Sequence, residues 1–296
     1  MTDPAALVDV RLRTVIDPAE LAEKVGKIVT EQDFNLLVTG PARLRRPDGS
    51  LLAIYLPGVL ADTDPRIVDV LSGLKRLTTN NRGLASGTPR VKRSGSSRTS
   101  SKAVASAVIG AVDPMGQQRY CRLTAWTGKE FDTYREVWPL LQDIAGHFAQ
   151  HVPDRFAAQM AYVDASQPDW IIPGTPFSTV TVNNTYPTGV HQDAGDLDVG
   201  FSTLACFRRG QYTGGVLTFP EYRVAVDMRH GDLLLMNAHA WHGNTLITPA
   251  SPDAERISVV SYFRTKVREC ASPADEAKKA AAYAARTSLA RANPEA

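Results

Sequence analysis

Residues 231–263 read GDLLLMNAHAWHGNTLITPASPDAERISVVSYF, and the class of fold turns on how this stretch is read. Leu233, Leu234, Leu235 and Met236 form a short apolar run that starts after Gly231-Asp232, which predicts a strand over 232–236. From Arg256 the pattern alternates, so Arg256, Ser258, Val260 and Tyr262 share one face of a second strand while Ile257, Val259 and Phe263 share the other. Between the two strands lie His239, His242 and the turn residues Gly243-Asn244. Similar short β-rich runs precede them at 177–182, 201–207, 216–219 and 222–226, separated by Gly, Asn and Pro. Many short strands joined by tight turns predict a sandwich or jelly roll.

Further out the character changes. Helical spacing marks 18–27, and 36–46 runs through a Gly40-Pro41 break into the turn Pro47-Asp48-Gly49-Ser50, followed by a strand at 51–56. Residues 80–102 are rich in Ser, Gly and Thr and carry Arg82, Arg90, Lys92, Arg93, Arg98 and Lys102, the composition of a mobile basic loop. A strand is expected at 123–126. Tyr134, Val137, Trp138, Leu141, Ile144 and Phe148 give 131–152 helical spacing that Pro139 should kink or break, and a second helix is expected at 155–163. Residues 274–290 have good helix propensity but few large apolar side chains, which predicts a weakly docked terminal helix. The organisation expected is therefore α+β. An N-terminal α/β extension (1–112) carries the basic loop, a β core with its supporting helices spans 113–268, and a loosely attached tail occupies 271–296.

Composition narrows the class. A chain of 296 residues with 43% apolar content is globular, and 33 basic against 31 acidic residues leave a net charge of +2, so any basic surface must be local. The apolar runs fall far short of the roughly 20 residues that span a bilayer, and residues following Met1 lack a signal pattern, so a cytoplasmic protein without membrane association is expected. Cys121, Cys206 and Cys270 form no CxxC pair and read as free thiols.

The chemistry begins at His191-Gln192-Asp193, where two potential ligands on alternate residues leave the same face of an extended segment. A third ligand must come from elsewhere, and His239 and His242 are the candidates. Being three apart they face opposite ways in a strand, so one enters the site. His242 is favoured by the Gly243-Asn244 turn that follows and by Arg256 fourteen residues on, with His239 as the alternative. Two imidazoles and a carboxylate on one face of iron(II) leave three positions open, the arrangement that non-haem oxygenases need for a bidentate co-substrate and dioxygen. Arg256 and Ser258 are co-facial, and a guanidinium fork with a hydroxyl suits the far carboxylate of a dicarboxylate. The competing reading of Arg256 is a surface residue opening an edge strand.

Taken together, His191-x-Asp193, Tyr212-Thr213-Gly214-Gly215-Val216-Leu217-Thr218-Phe219-Pro220, the Gly231-Asp232 strand, His242-Gly243-Asn244-Thr245 and Arg256-Ile257-Ser258 resemble the double-stranded β-helix (jelly-roll, cupin-like) core of 2-oxoglutarate oxygenases. Ala194-Gly195-Asp196, the His242 turn and the Arg256 strand are similar to the TET/JBP branch. That resemblance implies Fe(II) on His191, Asp193 and His242, with 2-oxoglutarate on Arg256 and Ser258 and with O2 as oxidant. It implies hydroxylation of the 5-methyl group of thymine or 5-methylcytosine in DNA, giving the 5-hydroxymethyl base, succinate and CO2. A base inside a duplex must be flipped to reach a buried metal. Asp196 would then meet the base, Arg90, Lys92, Arg93 and Arg98 would grip the backbone, and the enzyme would work as a monomer in the cytoplasm or nucleoid, with no protein partner implied. Two other readings stand beside this one. Gly214–Pro220 also resembles prolyl-hydroxylase-like oxygenases of peptides or small molecules, and a non-catalytic DNA-binding protein could use the same scaffold.

Overall fold

The computed structural model describes residues 6–87, 91–92, 99–100, 103–116 and 118–292. The chain runs β1 (Val8–Arg11), α1 (Pro18–Lys24), β2 (Leu36–Val38), β3 (Ala42–Arg45), β4 (Leu51–Leu56), α2 (Pro65–Gly73) and β5 (Val104–Val112). Helices α3 (Ala125–Lys129), α4 (Phe131–Arg135), α5 (Trp138–His151) and α6 (Pro153–Asp164) follow, then β6 (Thr179–Asn184), β7 (Ser202–Arg209), β8 (Leu217–Phe219), β9 (Val224–Val226), β10 (Asp232–Met236), β11 (Gly243–Asn244), β12 (Glu255–Tyr262) and α7 (Pro273–Ala292). Two compact units emerge, one of Met1–Ala107, Thr181–Ala194 and Phe201–Val260, the other of Val108–Val180, Gly195–Gly200 and Ser261–Ala296.

The first unit carries the double-stranded β-helix. Its larger sheet runs β1-β3-β4-β10-β7-β12-β6 and continues through β5 to Thr78–Thr79, and a smaller sheet has the order β11-β8-β9-β2. Antiparallel register sets Ser202 opposite Met236 and Cys206 opposite Asp232 between β7 and β10, and Leu233 opposite Leu56 between β10 and β4. In the smaller sheet Leu217 faces both Val226 and Asn244, while β2 joins β9 in parallel. Leu44, Leu204 and Leu234 from the larger sheet pack with Leu217, Phe219 and Val226 from the smaller in one buried cluster. Each such side chain contributes about 1.5–3 kcal/mol on burial, so closure of the two sheets over this cluster dominates the unit's stability.

The 51–56 and 232–236 strands stand where expected, and those expected at 177–182, 201–207, 216–219, 222–226 and 256–263 shift at one or both ends by one or two residues. Strands β2, β3 and β4, from the first 112 residues, are integral to the two sheets, so the contact units cut across the division at 112. At 123–126 the structure corrects the sequence reading. Only Arg122–Leu123 is extended, because the Thr124 side chain caps α3 by accepting from the Thr127 amide. Of the kink or break expected at Pro139, the structure shows the break. Pro139 sits in the first turn of α5, where its missing N–H removes no bond, and the break falls just before it. Some elements escaped the sequence reading, β1 among them. Residues 104–112 are so rich in Ala, Ser and Gly that they carry little strand signal, and α2 is short although Asp64 caps it.

The second unit is built on α5 and α6, with a core that includes Trp170, Leu197, Phe263 and Val267. Here Cys121 and Cys270 form a disulfide, so the free-thiol reading survives only for the buried Cys206. Their separation of 149 residues hid the pairing, since spacing alone carries no signal at that range. The expectation of a loose terminal helix meets a specific anchor. Glu276 of α7 is 2% exposed, and its carboxylate accepts from the amides of Cys121 (2.7 Å) and Ala271 (2.9 Å). Burial opposes its charge, but Lys279 and the two amides hold the carboxyl below the usual range. Within 80–102, Gly83–Ser86 forms a 3-10 turn and Val91–Lys92 pairs with Thr99–Ser100, while Arg90, Arg93, Arg98 and Lys102 lie outside the described residues. Among the described residues no helix is long and apolar enough to cross a membrane.

Candidate metal centre

The segment that delivers His191 is held on both sides by backbone. The Gly189 amide donates to Ala85 O (3.1 Å), Val190 to Lys27 O (2.8 Å) and Gly26 to Val190 O (2.8 Å), and the Tyr186 hydroxyl donates to Ala85 O. A Cβ on Gly189 would lie 2.8 Å from Gly87 Cα and 3.0 Å from Leu84 O, so only glycine fits two residues before the first ligand. His191 and His242 then form an antiparallel bridge with two 2.9 Å backbone bonds, and the Asp193 amide donates to Ala238 O (3.0 Å). These bonds bring together two segments about fifty residues apart in sequence.

Ligand atoms of His191, Asp193 and His242 lie within 4.8 Å of one another, a grouping that could hold a metal ion. His191 Nε2 is 3.4 Å from Asp193 Oδ1, and His242 Nε2 is 3.9 Å from Asp193 Oδ2. Each imidazole bonds a carbonyl through its other nitrogen: His191 Nδ1 to Gly189 O at 2.8 Å and His242 Nδ1 to Ala240 O at 2.9 Å. That places the proton on Nδ1 and turns both Nε2 lone pairs toward Asp193, the orientation a metal requires. Burial, and then the neighbouring His191, push His242 down to about 4, so its ring is neutral at pH 7. Burial also opposes charge on Asp193, but the neighbouring imidazoles, His191 first, and the Arg82 guanidinium outweigh it and hold the carboxyl at about 2. The donor set of two imidazoles and one carboxylate fits a divalent iron. His239 is not part of the group; its carbonyl accepts from Gln192 and its amide donates to Asn237 Oδ1.

Arg256 answers the edge-strand alternative directly. It is 1% exposed, and Nη1 donates to Ser258 Oγ at 2.7 Å, while Nε and Nη2 are buried without a hydrogen-bond partner. Leaving a buried charged donor unpaired costs several kcal/mol, so the site is shaped for an anion that takes both. Gly215, at φ +71°, backs onto this side chain, and a Cβ there would lie 2.8 Å from Arg256 Cδ. Sequence reasoning passed over Tyr212. Its hydroxyl is also buried without a partner, its ring lies 4.8 Å beneath the Arg208 guanidinium, and the Arg256 charge acts on it. Its place beside Gly214-Gly215 in a motif already quoted was the available signal.

The remaining expected site residues fall elsewhere. Asp196 belongs to the second unit, 8% exposed, in a bridge with Arg264, whose Nε donates to Asp113 at 2.6 Å. Of the basic residues assigned to DNA, Lys92 lies in the short Val91–Lys92 strand, and Arg90, Arg93 and Arg98 are outside the described residues.

A double-stranded β-helix that carries a His-Asp-His group and a buried arginine is the arrangement of the 2-oxoglutarate- and iron(II)-dependent oxygenases, which use dioxygen. The chain belongs to the Tet_JBP family, the oxygenase domain of the 2OGFeDO superfamily, which residues 113–265 match. It is 31% identical over 241 residues to a thymine dioxygenase JBP1 of Crithidia fasciculata, covering 79% of this chain and 29% of that protein. Against the thymine dioxygenase JBP1 of Trypanosoma brucei brucei it is 36% identical over 152 residues, 50% of this chain and 18% of that one. The chain thus spans less than a third of the length of these relatives. The structure of NgTET1 in complex with 5mC DNA has the same fold, with a TM-score of 0.51 at 16% identity over 86% of this chain and 93% of that one.

Proposed function

We propose that this chain hydroxylates the 5-methyl group of a pyrimidine, thymine or 5-methylcytosine, in DNA, converting 2-oxoglutarate and O2 to succinate and CO2 as it does so. The observation that carries the oxygenase half is the pairing of the His191-Asp193-His242 group with a buried Arg256 whose Nε and Nη2 lack partners. Likeness to proteins named thymine dioxygenase supports the substrate half.

In this reading His191 and His242 hold iron(II) through Nε2, and Asp193 holds it through a carboxylate oxygen. Iron(II) with 2-oxoglutarate and dioxygen supplies the oxidising power that places one oxygen atom in the methyl C–H bond. The chain's own part is positioning. Gly189 O and Ala240 O keep both rings in the Nδ1–H tautomer. Arg256, with Ser258 as neighbour and Tyr212 as a third donor, fixes the far carboxylate of 2-oxoglutarate and sets its register. Asp196 accepts from the flipped base, a role open to the cytosine N4 amino group or the thymine N3–H. Arg90, Lys92, Arg93 and Arg98 bear on the phosphates, and the enzyme acts as a monomer wherever DNA is housed, cytoplasm or nucleoid. Residues 113–268 serve as the oxygenase core, 1–112 as an extension that lends β2, β3 and β4 to its sheets, and 271–296 as a terminal helix.

Nucleoside mass spectrometry of DNA incubated with the protein, Fe(II) and 2-oxoglutarate tests this. A 5-hydroxymethyl pyrimidine that disappears when 2-oxoglutarate is withheld is expected. Untouched DNA, with turnover of a free small molecule or peptide, would sink the substrate assignment.

A further inference from the structure

A groove with one wall in the family-matched segment and the other in α7, beyond it, is used by neither the metal centre nor the co-substrate site. Arg119 and Tyr120 line one side, and Lys279, Ala282, Tyr283 and Arg286 of α7 line the other, around a volume of about 430 Å³. The α7 residues recur at i, i+3, i+4 and i+7, so they form one stripe along the helix. The Tyr120 and Tyr283 rings are 6.0 Å apart, and the Arg122 guanidinium lies 5.5 Å from the Tyr120 centroid.

Of the three cations that line the groove, Lys279 is neutralised locally and the two arginines are not. Glu276 is buried and its carboxylate is taken up by the Cys121 and Ala271 amides and by Lys279 at 2.6 Å. Among the described residues Arg119 and Arg286 make no hydrogen bond or ion pair. Both walls are also fixed to one another. The Cys121–Cys270 disulfide ties the residue next to Tyr120 to the approach of α7, and Glu276 bonds both strands of that junction. Free guanidinium groups on a pre-formed, aromatic-floored groove suit a polyanion whose charges repeat along a chain. Arg binds phosphate through two parallel donors, and tyrosine faces tolerate any sugar or base beside it.

We propose that this groove binds the phosphodiester backbone of DNA, a contact separate from the one that reads the target base. The proposal rests on the reading of DNA as substrate, because that reading brings a polyanion to this chain.

The test is fluorescence anisotropy of a labelled DNA duplex, titrated at several salt concentrations with the intact protein and with Arg119→Glu, Arg286→Glu and the double variant. Arg76→Glu, an exposed arginine outside the groove, controls for net charge. The double variant is expected to bind roughly 10-fold or more weakly at low salt, with a salt slope shallower by about 2, since each phosphate contact adds about 0.9. Calorimetric binding of 2-oxoglutarate with Mn(II) should be unchanged, which shows the variants fold. Arg119→Lys and Arg286→Lys should keep most of the affinity.

If the wild type modifies DNA while the double variant matches it in affinity and slope, or loses no more than Arg76→Glu, the groove proposal fails and the substrate reading stands. If the variants lose binding to anionic phospholipid vesicles but keep DNA, the occupant is a membrane surface and the proposal fails. If the wild type binds 2-oxoglutarate but neither binds nor modifies DNA, the substrate reading falls and takes this one with it.

Discussion

His242 and His239 are three residues apart, and the backbone chooses between them. The bridge to His191 holds His242 in the group, while His239 spends its amide and carbonyl on Asn237 and Gln192. Titration calorimetry with Mn(II) should therefore show His242→Ala weaker by at least about 100-fold, and His239→Ala changed by less than about 3-fold. Equal losses in the two would mean that the ring of His239 also binds. Arg256 carries opposite expectations for stability and binding. Without its anion it is a buried charge with two unmet donors, so Arg256→Met should abolish 2-oxoglutarate binding yet leave the unliganded protein as stable as wild type or more so. A thermal melt and a binding titration on the same sample check both halves. Tyr212→Phe removes one uncharged donor and should raise the Kd for 2-oxoglutarate about 5- to 10-fold, the equivalent of about 1–1.4 kcal/mol. With pyruvate, which lacks the far carboxylate, the same substitution should have no effect.

At the scale of elements, the triad depends on a crossing of backbones at Gly189. Gly189→Ala would press on Gly87 Cα, Gly26 O and Leu84 O, none of which is a flexible side-chain end. A cost of about 1–3 kcal/mol and weakened metal binding are expected, measured by denaturant melts and calorimetry. Helix α7 has a different dependence, on protonation. Because the folded carboxyl of Glu276 is held below the usual range, its contribution is present above the unfolded glutamate value of about 4.3 and is lost as pH falls through the lowered folded value. Wild type should exceed Glu276→Gln in melting temperature at pH 7, and the gap should close as pH falls below about 4. A gap independent of pH would show that the carboxylate is not the anchor.

At the scale of the whole molecule, the disulfide is the one covalent cross-link among the described residues. A loop of 149 residues corresponds to about 5 kcal/mol in the chain-entropy account, with about 2–4 more usual in practice. Calorimetric melts with and without reductant should therefore differ by several degrees, with Cys121→Ser/Cys270→Ser matching the reduced protein.

What was legible in the sequence was chemistry carried by short-range pattern. The alternation of His191 and Asp193, the apolar run at 232–236 and the co-facial Arg256 and Ser258 all depend on neighbours within a few residues, which strand geometry makes readable. The helix at 131–152 was readable in outline, and Pro139, which pointed to a kink or a break, sits where a new helix starts. The tertiary structure alone decided what depends on distant segments meeting. It set His242 rather than His239 beside Asp193, buried Arg256 instead of leaving it on an edge, joined Cys121 to Cys270 and drew β2, β3 and β4 into the two sheets. The reason is physical. Residue pattern encodes which face a side chain takes on its own strand, whereas ligand choice, burial and disulfide pairing depend on contacts between segments whose separation carries no local signal.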